Sequence, residues 1–205
     1  MTKQAIGIMG GTFDPIHNGH LLTAECAAYQ YDLERVIFVP SANPPHKIEQ
    51  KITDAEQRYL MATLATISNP KFSVSKIEIK RDGLSYTIDT VREFKKIYPN
   101  HKLFFITGTD AIMEIFDWKA PQDLLQEADF IAASRPGYSL GNIEEKISGT
   151  YKEEIHLLKI PGLAISSTNI RQRVQEGRPI KYQLPESVEN YIRQKNLYRG
   201  QLNVD

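Results

Sequence analysis

Cysteine is almost missing from this chain. Cys26 is the only one in 205 residues, so an intrachain disulfide framework is excluded and a thiolate-rich metal centre has no ligands to draw on. An excess of either charge is missing too. Lys plus Arg and Asp plus Glu each number 25, which leaves no bulk field to draw the protein to nucleic acid or to a membrane surface, so any anion binding must come from local clusters. No long uncharged apolar run occurs, which argues against a transmembrane helix or a secretory signal and makes the cytoplasm the expected compartment. Repeats, linkers and low-complexity segments are absent as well. What remains is ordinary globular material, 41% apolar and 24% charged, expected to form one domain over 1–205 with a C-terminal helical region from about residue 166.

The most informative stretch runs Gly10-Gly11-Thr12-Phe13-Asp14-Pro15-Ile16-His17-Asn18-Gly19-His20-Leu21-Leu22. It follows the apolar run Ala5 to Met9, which suits a buried parallel strand, and leads into a helix expected over His20 to Tyr31. Two glycines allow a tight turn, tolerate positive φ and let a ligand approach the backbone. The free N–H groups and positive dipole end of the following helix attract phosphate. His17 and His20 are three apart, so in one helical turn they share a face and present N–H donors. Gly19 between them is expected to leave room for a ligand. Read singly, a Gly-Gly pair can be only a turn, and two histidines can be metal ligands, but a metal needs further ligands that this stretch does not supply.

Further along, Val36 to Val39 reads as a second buried strand, and Ser41-Ala42-Asn43-Pro44-Pro45-His46-Lys47 as a proline-stiffened loop that ends on a cation. Lys47 is either a phosphate contact or a solvated loop lysine. Thr53 to Ile67 has helical spacing with Thr53 or Asp54 as cap, and Phe72 to Ile79 alternates as a strand. Ser85-Tyr86-Thr87-Ile88-Asp89-Thr90 enters the helix of Val91, Phe94 and Ile97, and Thr87 or Asp89 is a plausible cap. Leu103 to Ile106 is a third apolar strand that ends on Thr107-Gly108-Thr109-Asp110. Asp110 is placed to bond a ribose, to cap a helix over Ala111 to Phe116, or both. Trp118, the sole tryptophan, is either core or a stacking surface. Pro121 to Ala128 reads as helix and Phe130 to Ala133 as strand, followed by Arg135-Pro136-Gly137 and a polar, solvated segment over 142–154. Ile155 to Ile160 is a last strand before Ile165-Ser166-Ser167-Thr168-Asn169-Ile170-Arg171, where hydroxyls at a helix start can cap it or hold phosphate. Arg171 lies one turn beyond Thr168, with a fork suited to a pair of phosphate oxygens. Pro185 to Tyr198 reads as a terminal helix. Alternating strands and helices give an α/β, Rossmann-like fold with a mainly parallel sheet and ligands at the strands' carboxyl ends.

Gly10 to Leu22 resembles the signature loop of the nucleotidyltransferases that carry a paired-histidine motif, a group similar to class I aminoacyl-tRNA synthetases in its ATP site. Ile165 to Arg171 resembles the second ATP motif of the same superfamily. The Ser85 to Thr90 segment is similar to the Ser-Tyr-Thr-x-Asp-Thr stretch of bacterial nicotinate-nucleotide adenylyltransferases, and Arg135-Pro136-Gly137 to another of their segments. The resemblance implies transfer of the adenylyl group of ATP to nicotinate mononucleotide, giving deamido-NAD and pyrophosphate, with Mg²⁺ carried on ATP and no metal site of the protein's own. It further implies that Gly10, Gly11, Thr12, Phe13, His17, His20, Gly108, Asp110, Ser166, Ser167, Thr168 and Arg171 bind ATP, with His17, His20 and Arg171 catalytic. Lys47, Ser85, Tyr86, Thr87, Trp118 and Arg135 would hold the mononucleotide, with Trp118 stacked on the pyridine ring. Family members often carry an aromatic residue or His after that Trp, where this chain has Lys119. No nucleic-acid or membrane partner is implied, and a homo-oligomer is left open.

Overall fold

A computed structural model describes residues 4–45, 52–134 and 153–199. Six strands form one parallel sheet in the order β3-β2-β1-β4-β5-β6. They are β1 (Ala5–Gly11), β2 (Leu33–Pro40), β3 (Phe72–Val74), β4 (Lys102–Gly108), β5 (Asp129–Ser134) and β6 (Ile155–Lys159). The helices are α1 (Asn18–Gln30), α2 (Ala55–Thr66), α3 (Thr87–Ile97), α4 (Thr109–Met113), α5 (Pro121–Glu127), α6 (Ser167–Gln175) and α7 (Glu186–Gln194).

Period-two alternation splits the sheet's side chains between two buried clusters. Met9, Val36, Phe38, Phe104, Ile106 and Ile131 pack with Ala24, Ala27 and Ala28 of α1, Met61 and Ala62 of α2, and Val188 and Ile192 of α7. Ile6, Ile8, Ile37, Val39, Phe105 and Phe130 pack with Val91 and Phe94 of α3 and Leu124 and Leu125 of α5. The strand order reverses direction between β1 and β4, and the crevice of such a sheet opens at that switch point, beyond the carboxyl ends Gly11 and Gly108.

Three expected elements differ. The strand expected over Phe72 to Ile79 is only Phe72–Val74, because β3 is an edge strand paired with β2 alone, and residues 77–80 turn away with Lys80 N–H bonded to the Lys76 carbonyl. The helix expected over Ala111 to Phe116 starts earlier, at Thr109, and breaks into α4 and a 3₁₀ turn, Ile115–Asp117. Gly108 occupies its N-cap position, so Asp110 lies within the first turn and does not cap it. Neither Thr87 nor Asp89 caps α3, whose N-cap position is Tyr86. At α2 the cap is Asp54, which accepts from the N–H groups of Glu56 and Gln57.

At the amino ends of the strands, opposite the crevice, Asp129 at the start of β5 receives Lys102 Nζ and His156 Nε2, each at 2.6 Å on one oxygen. Burial alone would raise the Asp129 pKa, but the bonds from His156 and Lys102 outweigh it and hold the carboxyl below its ordinary range. A depressed acid contributes stability that is fully present above the ordinary carboxylate range and is lost as pH falls through the lowered value. Asp129→Asn is therefore expected to cost about 1–2 kcal/mol at pH 7. Urea melts at pH 7 and near pH 3 should show that gap closing in acid.

Candidate active site

The loop after β1 lies at the switch point and enters α1 through His17, the N-cap residue. Neither Gly10 nor Gly11 has positive φ, contrary to the expectation that they make the turn. The left-handed residue is Phe13, at φ 49°. The glycines are required by packing: a Cβ on Gly10 would meet the Phe105 ring at 2.7 Å and one on Gly11 the Phe13 ring at 2.9 Å. Gly19 likewise leaves room for a side chain, since a Cβ there would lie 3.0 Å from the His17 imidazole.

That space lets His17 and His20 stack, with centroids 3.7 Å apart and planes inclined by 23°. His17 is 3% exposed, and His20 is half-buried with the Phe13 ring edge-on to it at 5.1 Å. The His17 backbone N–H donates to His20 Nδ1 at 3.2 Å. With Nδ1 an acceptor, the neutral ring carries its proton on Nε2 and keeps a donor on its other side.

The segment Ile165 to Arg171 packs onto the same loop. Ser166 is the N-cap of α6, and its Oγ accepts the Asn169 N–H. Ser167 Oγ donates to the Pro15 carbonyl at 2.8 Å. One terminal nitrogen of Arg171 donates to the Asp14 carbonyl at 2.8 Å, and the other reaches Thr168 Oγ1 at 3.4 Å. Two helix N-termini thus converge on one loop. Of the described α-helices, α1 and α6 alone have no acidic residue in the first turn, whereas α2 has Glu56, α3 Asp89, α4 Asp110, α5 Asp123 and α7 Glu186. The two dipole ends that face the loop are the ones left uncompensated, as an anion site requires. Gly108 ends β4 with open space where a Cβ would stand, and Asp110 is exposed beside it.

On the other side of the switch point, Ser85 ties two loops together. Its Oγ accepts the N–H groups of Ala42 and Asn43, its own N–H donates to the Asn43 carbonyl, and Asn43 Nδ2 donates to the Gly83 carbonyl. Tyr86 and Thr87 open α3. Lys119 Nζ lies 4.5 Å from the centre of the Tyr86 ring and pairs with Asp89 at 3.0 Å. Trp118 is half-buried, its edges against Phe105 and Phe130 at 6.3 Å. Lys47 and Arg135, and nearly all of the polar segment 142–154, lie outside the described residues.

Four residues that hold the site carried no assigned role in the sequence. Asp14, 5% exposed, accepts the Tyr198 hydroxyl at 2.6 Å and the Thr53 N–H at 3.2 Å. Burial and the Asp14 carboxylate push the Tyr198 pKa far up, so its hydroxyl stays protonated as the donor. Arg58, 1% exposed, sits in the apolar stripe of α2 with Met61, Ala62 and Ala65, and a cation in such a stripe is the signal that could have found it. Glu78, 6% exposed, accepts from the Thr90 hydroxyl at 2.6 Å.

A family model described as cytidylyltransferase-like matches residues 8–173. The chain is 56% identical over 204 residues to a probable nicotinate-nucleotide adenylyltransferase of Moorella thermoacetica, covering 97% of this chain and 93% of that protein. It is 57% identical over 198 residues to one of a Thermoanaerobacter species, covering 95% and 94%. Among solved structures, a Plasmodium falciparum nicotinic acid mononucleotide adenylyltransferase complexed with NaAD superposes with a TM-score of 0.79 at 25% identity, over 95% of this chain and 97% of that one.

Burial raises the pKa of Glu78, and the Thr90 and Ser85 hydroxyls and Arg81 only partly offset it. A raised acid contributes stability that is fully present below the ordinary glutamate value and is lost as pH rises through the folded value. Glu78→Gln is therefore expected to gain on the wild type in thermal melts between pH 4 and pH 7.5. A constant difference across that range would contradict the assignment.

Proposed function

The chain belongs to the cytidylyltransferase-like nucleotidyltransferases, in their nicotinate-nucleotide adenylyltransferase branch, and from that premise we propose that it transfers the adenylyl group of ATP to nicotinate mononucleotide. The products are deamido-NAD and pyrophosphate, a step of NAD biosynthesis. The observation that carries the site assignment is the convergence of α1 and α6, both without first-turn acids, on the loop that stacks His17 on His20.

The mononucleotide's 5′-phosphate oxygen attacks the α-phosphorus of ATP in line, and the bond to the β-phosphate oxygen breaks to release pyrophosphate. A phosphate is already ionised at neutral pH, so no general base is needed, and catalysis comes from alignment and charge stabilisation. Nε2 of His20 donates to a phosphoryl oxygen at the reacting centre, with His17 stacked behind it. Ser167, Thr168 and the N-terminus of α6 receive the β- and γ-phosphates. The fork of Arg171 is half committed to Asp14, which fixes it beside the loop. Gly10, Gly11, Thr12 and Phe13 shape the phosphate loop, while Gly108 and Asp110 lie by the ribose. Ser85, Tyr86, Thr87 and Trp118, together with Lys47 and Arg135, form the acceptor side.

Among the described residues no group of three or more His, Cys, Asp or Glu gathers to cage a cation, and the Asp14 carboxylate is taken by Tyr198 and Thr53. On this reading Mg²⁺ arrives on ATP and is held largely by phosphates and water. The ion, when bound, neutralises charge on the departing pyrophosphate. No helix of the described residues is long and apolar enough to cross a membrane. We place the reaction in the cytoplasm, as one nucleotidyltransferase domain whose C-terminal helices complete the ATP side.

Pyrophosphate release with ATP and Mg²⁺ tests the reading when nicotinate mononucleotide, nicotinamide mononucleotide and phosphopantetheine are run side by side. Strong preference for the nicotinate form is expected. Preference for another acceptor would discard the substrate, and silence with all three alongside measurable ATP binding would favour a sensor. His20→Ala should lower kcat by on the order of 10²-fold with the fold intact, and near-normal turnover would remove its role. Trp118→Ala should mainly raise KM for the mononucleotide, and an unchanged KM would make Trp118 a core residue.

A further inference from the structure

Arg58 lies in the apolar stripe of α2, and burying a guanidinium there is tolerated only when its donors are used. All three of its nitrogens donate to backbone carbonyls: Nε to Thr53 at 2.7 Å, one terminal nitrogen to Thr12 at 2.7 Å and the other to Ala42 at 3.3 Å. These carbonyls stand on three segments. Thr12 belongs to the phosphate loop after β1, Ala42 to the loop after β2, and Thr53 to the turn that opens α2. The Ala42 segment is in turn bonded to Ser85 and so to the start of α3. Burial pulls the Arg58 pKa down, and Asp14, Asp54, Tyr198 and Glu78 act against it, so the group stays a cation.

One buried planar group therefore ties the phosphate loop after β1 to the loop after β2 and, through Ser85, to the start of α3. The ATP side keeps its own determinants in His17, His20 and α6, and the acceptor side in Tyr86, Thr87 and Trp118. What depends on Arg58 is the distance between them. We propose that Arg58 is a positioning residue for adenylyl transfer, setting the separation of the phosphate loop from the acceptor loop so that the attacking phosphate meets the α-phosphorus in line. The inference rests on the adenylyl-transfer reading given above. It places the role of Arg58 in turnover more than in the affinity of either substrate, because its hydrogen bonds go to the backbone carbonyls of Thr12, Ala42 and Thr53 and leave the side-chain donors of both half-sites to the substrates.

Arg58→Lys keeps the charge but loses the rigid fork that reaches three carbonyls at once. A displacement near 1 Å between reacting groups costs up to about 10²-fold in rate, so kcat per folded enzyme is expected to fall by roughly 10- to 100-fold. KM for ATP and for nicotinate mononucleotide should each stay within about threefold, a split that a purely stabilising residue would not give. Circular dichroism and melting of the same samples establish the folded fraction. Unchanged kcat per folded enzyme, or a loss carried entirely by KM, would overturn the proposal. If Arg58→Lys does not fold, Arg58→Gln is measured in the same way, and failure of both to fold would overturn it in favour of stabilisation alone. Wild-type turnover of nicotinate mononucleotide is the control. Its absence would overturn the underlying reading, whereas wild-type turnover matched by the variant would overturn the role of Arg58 alone.

Discussion

The loop that carries the histidine pair cannot hold itself, and its dependence on distant chain is the constraint from which the rest of the site follows. Asp14, Pro15 and Asn18 are bonded to residues 152 to 184 positions downstream: Arg171 and Tyr198 to Asp14, Ser167 to Pro15, Tyr182 and Gln183 to Asn18. Asp14 is the junction, with its carboxylate on Tyr198 and Thr53 and its carbonyl on Arg171. Leaving one such buried group without its partner costs about 1–3 kcal/mol. The loop after β1, the turn before α2 and the C-terminal helices are therefore ordered together.

The electrostatics are as local as the composition demands. With 25 charges of each sign the chain has no net field, so attraction for phosphate has to come from where acids are withheld. Five of the described α-helices place a carboxylate in the first turn, which satisfies their own dipoles. The two that do not are α1 and α6, which both join the loop after β1. Two helix ends left without first-turn acids suit a small, compact anion such as a triphosphate.

Much of this was legible in the sequence. The alternation of Ile6, Ile8, Ile37, Val39, Leu103 and Phe105 against Met9, Phe38, Phe104 and Ile106 encodes a sheet buried on both faces, and the glycine- and histidine-rich stretch at its first strand end marked the crevice. The illegible parts are those set by contacts far along the chain. Gly10, Gly11 and Gly19 were readable as glycines with a reason, but the reason is the rings of Phe105, Phe13 and His17, which only the fold brings up. The strand pattern of Phe72 to Ile79 is locally sound, yet at the sheet edge only three residues find a partner and Glu78 turns inward. Tyr198 acts on Asp14 across 184 positions and Arg58 on Thr12 across 46, and no local spacing encodes such a pair.

Several side chains that a motif reading assigns wholly to substrate are partly spent on the protein's own backbone. Ser85 accepts two loop N–H groups, Ser166 caps α6, Ser167 bonds Pro15 and Arg171 gives one arm to Asp14. In a reaction that needs a base or a covalent nucleophile, such groups would be secondary to the residue that does the chemistry. Here the acceptor phosphate arrives already ionised, and the protein's task is to keep two charged substrates in line against their mutual repulsion. Rate then depends on how rigidly the donors are held as much as on which donors they are. On the proposed reading, a hydroxyl bonded to a carbonyl and a guanidinium forked between loops serve the rate by positioning, alongside the imidazole assigned to phosphate.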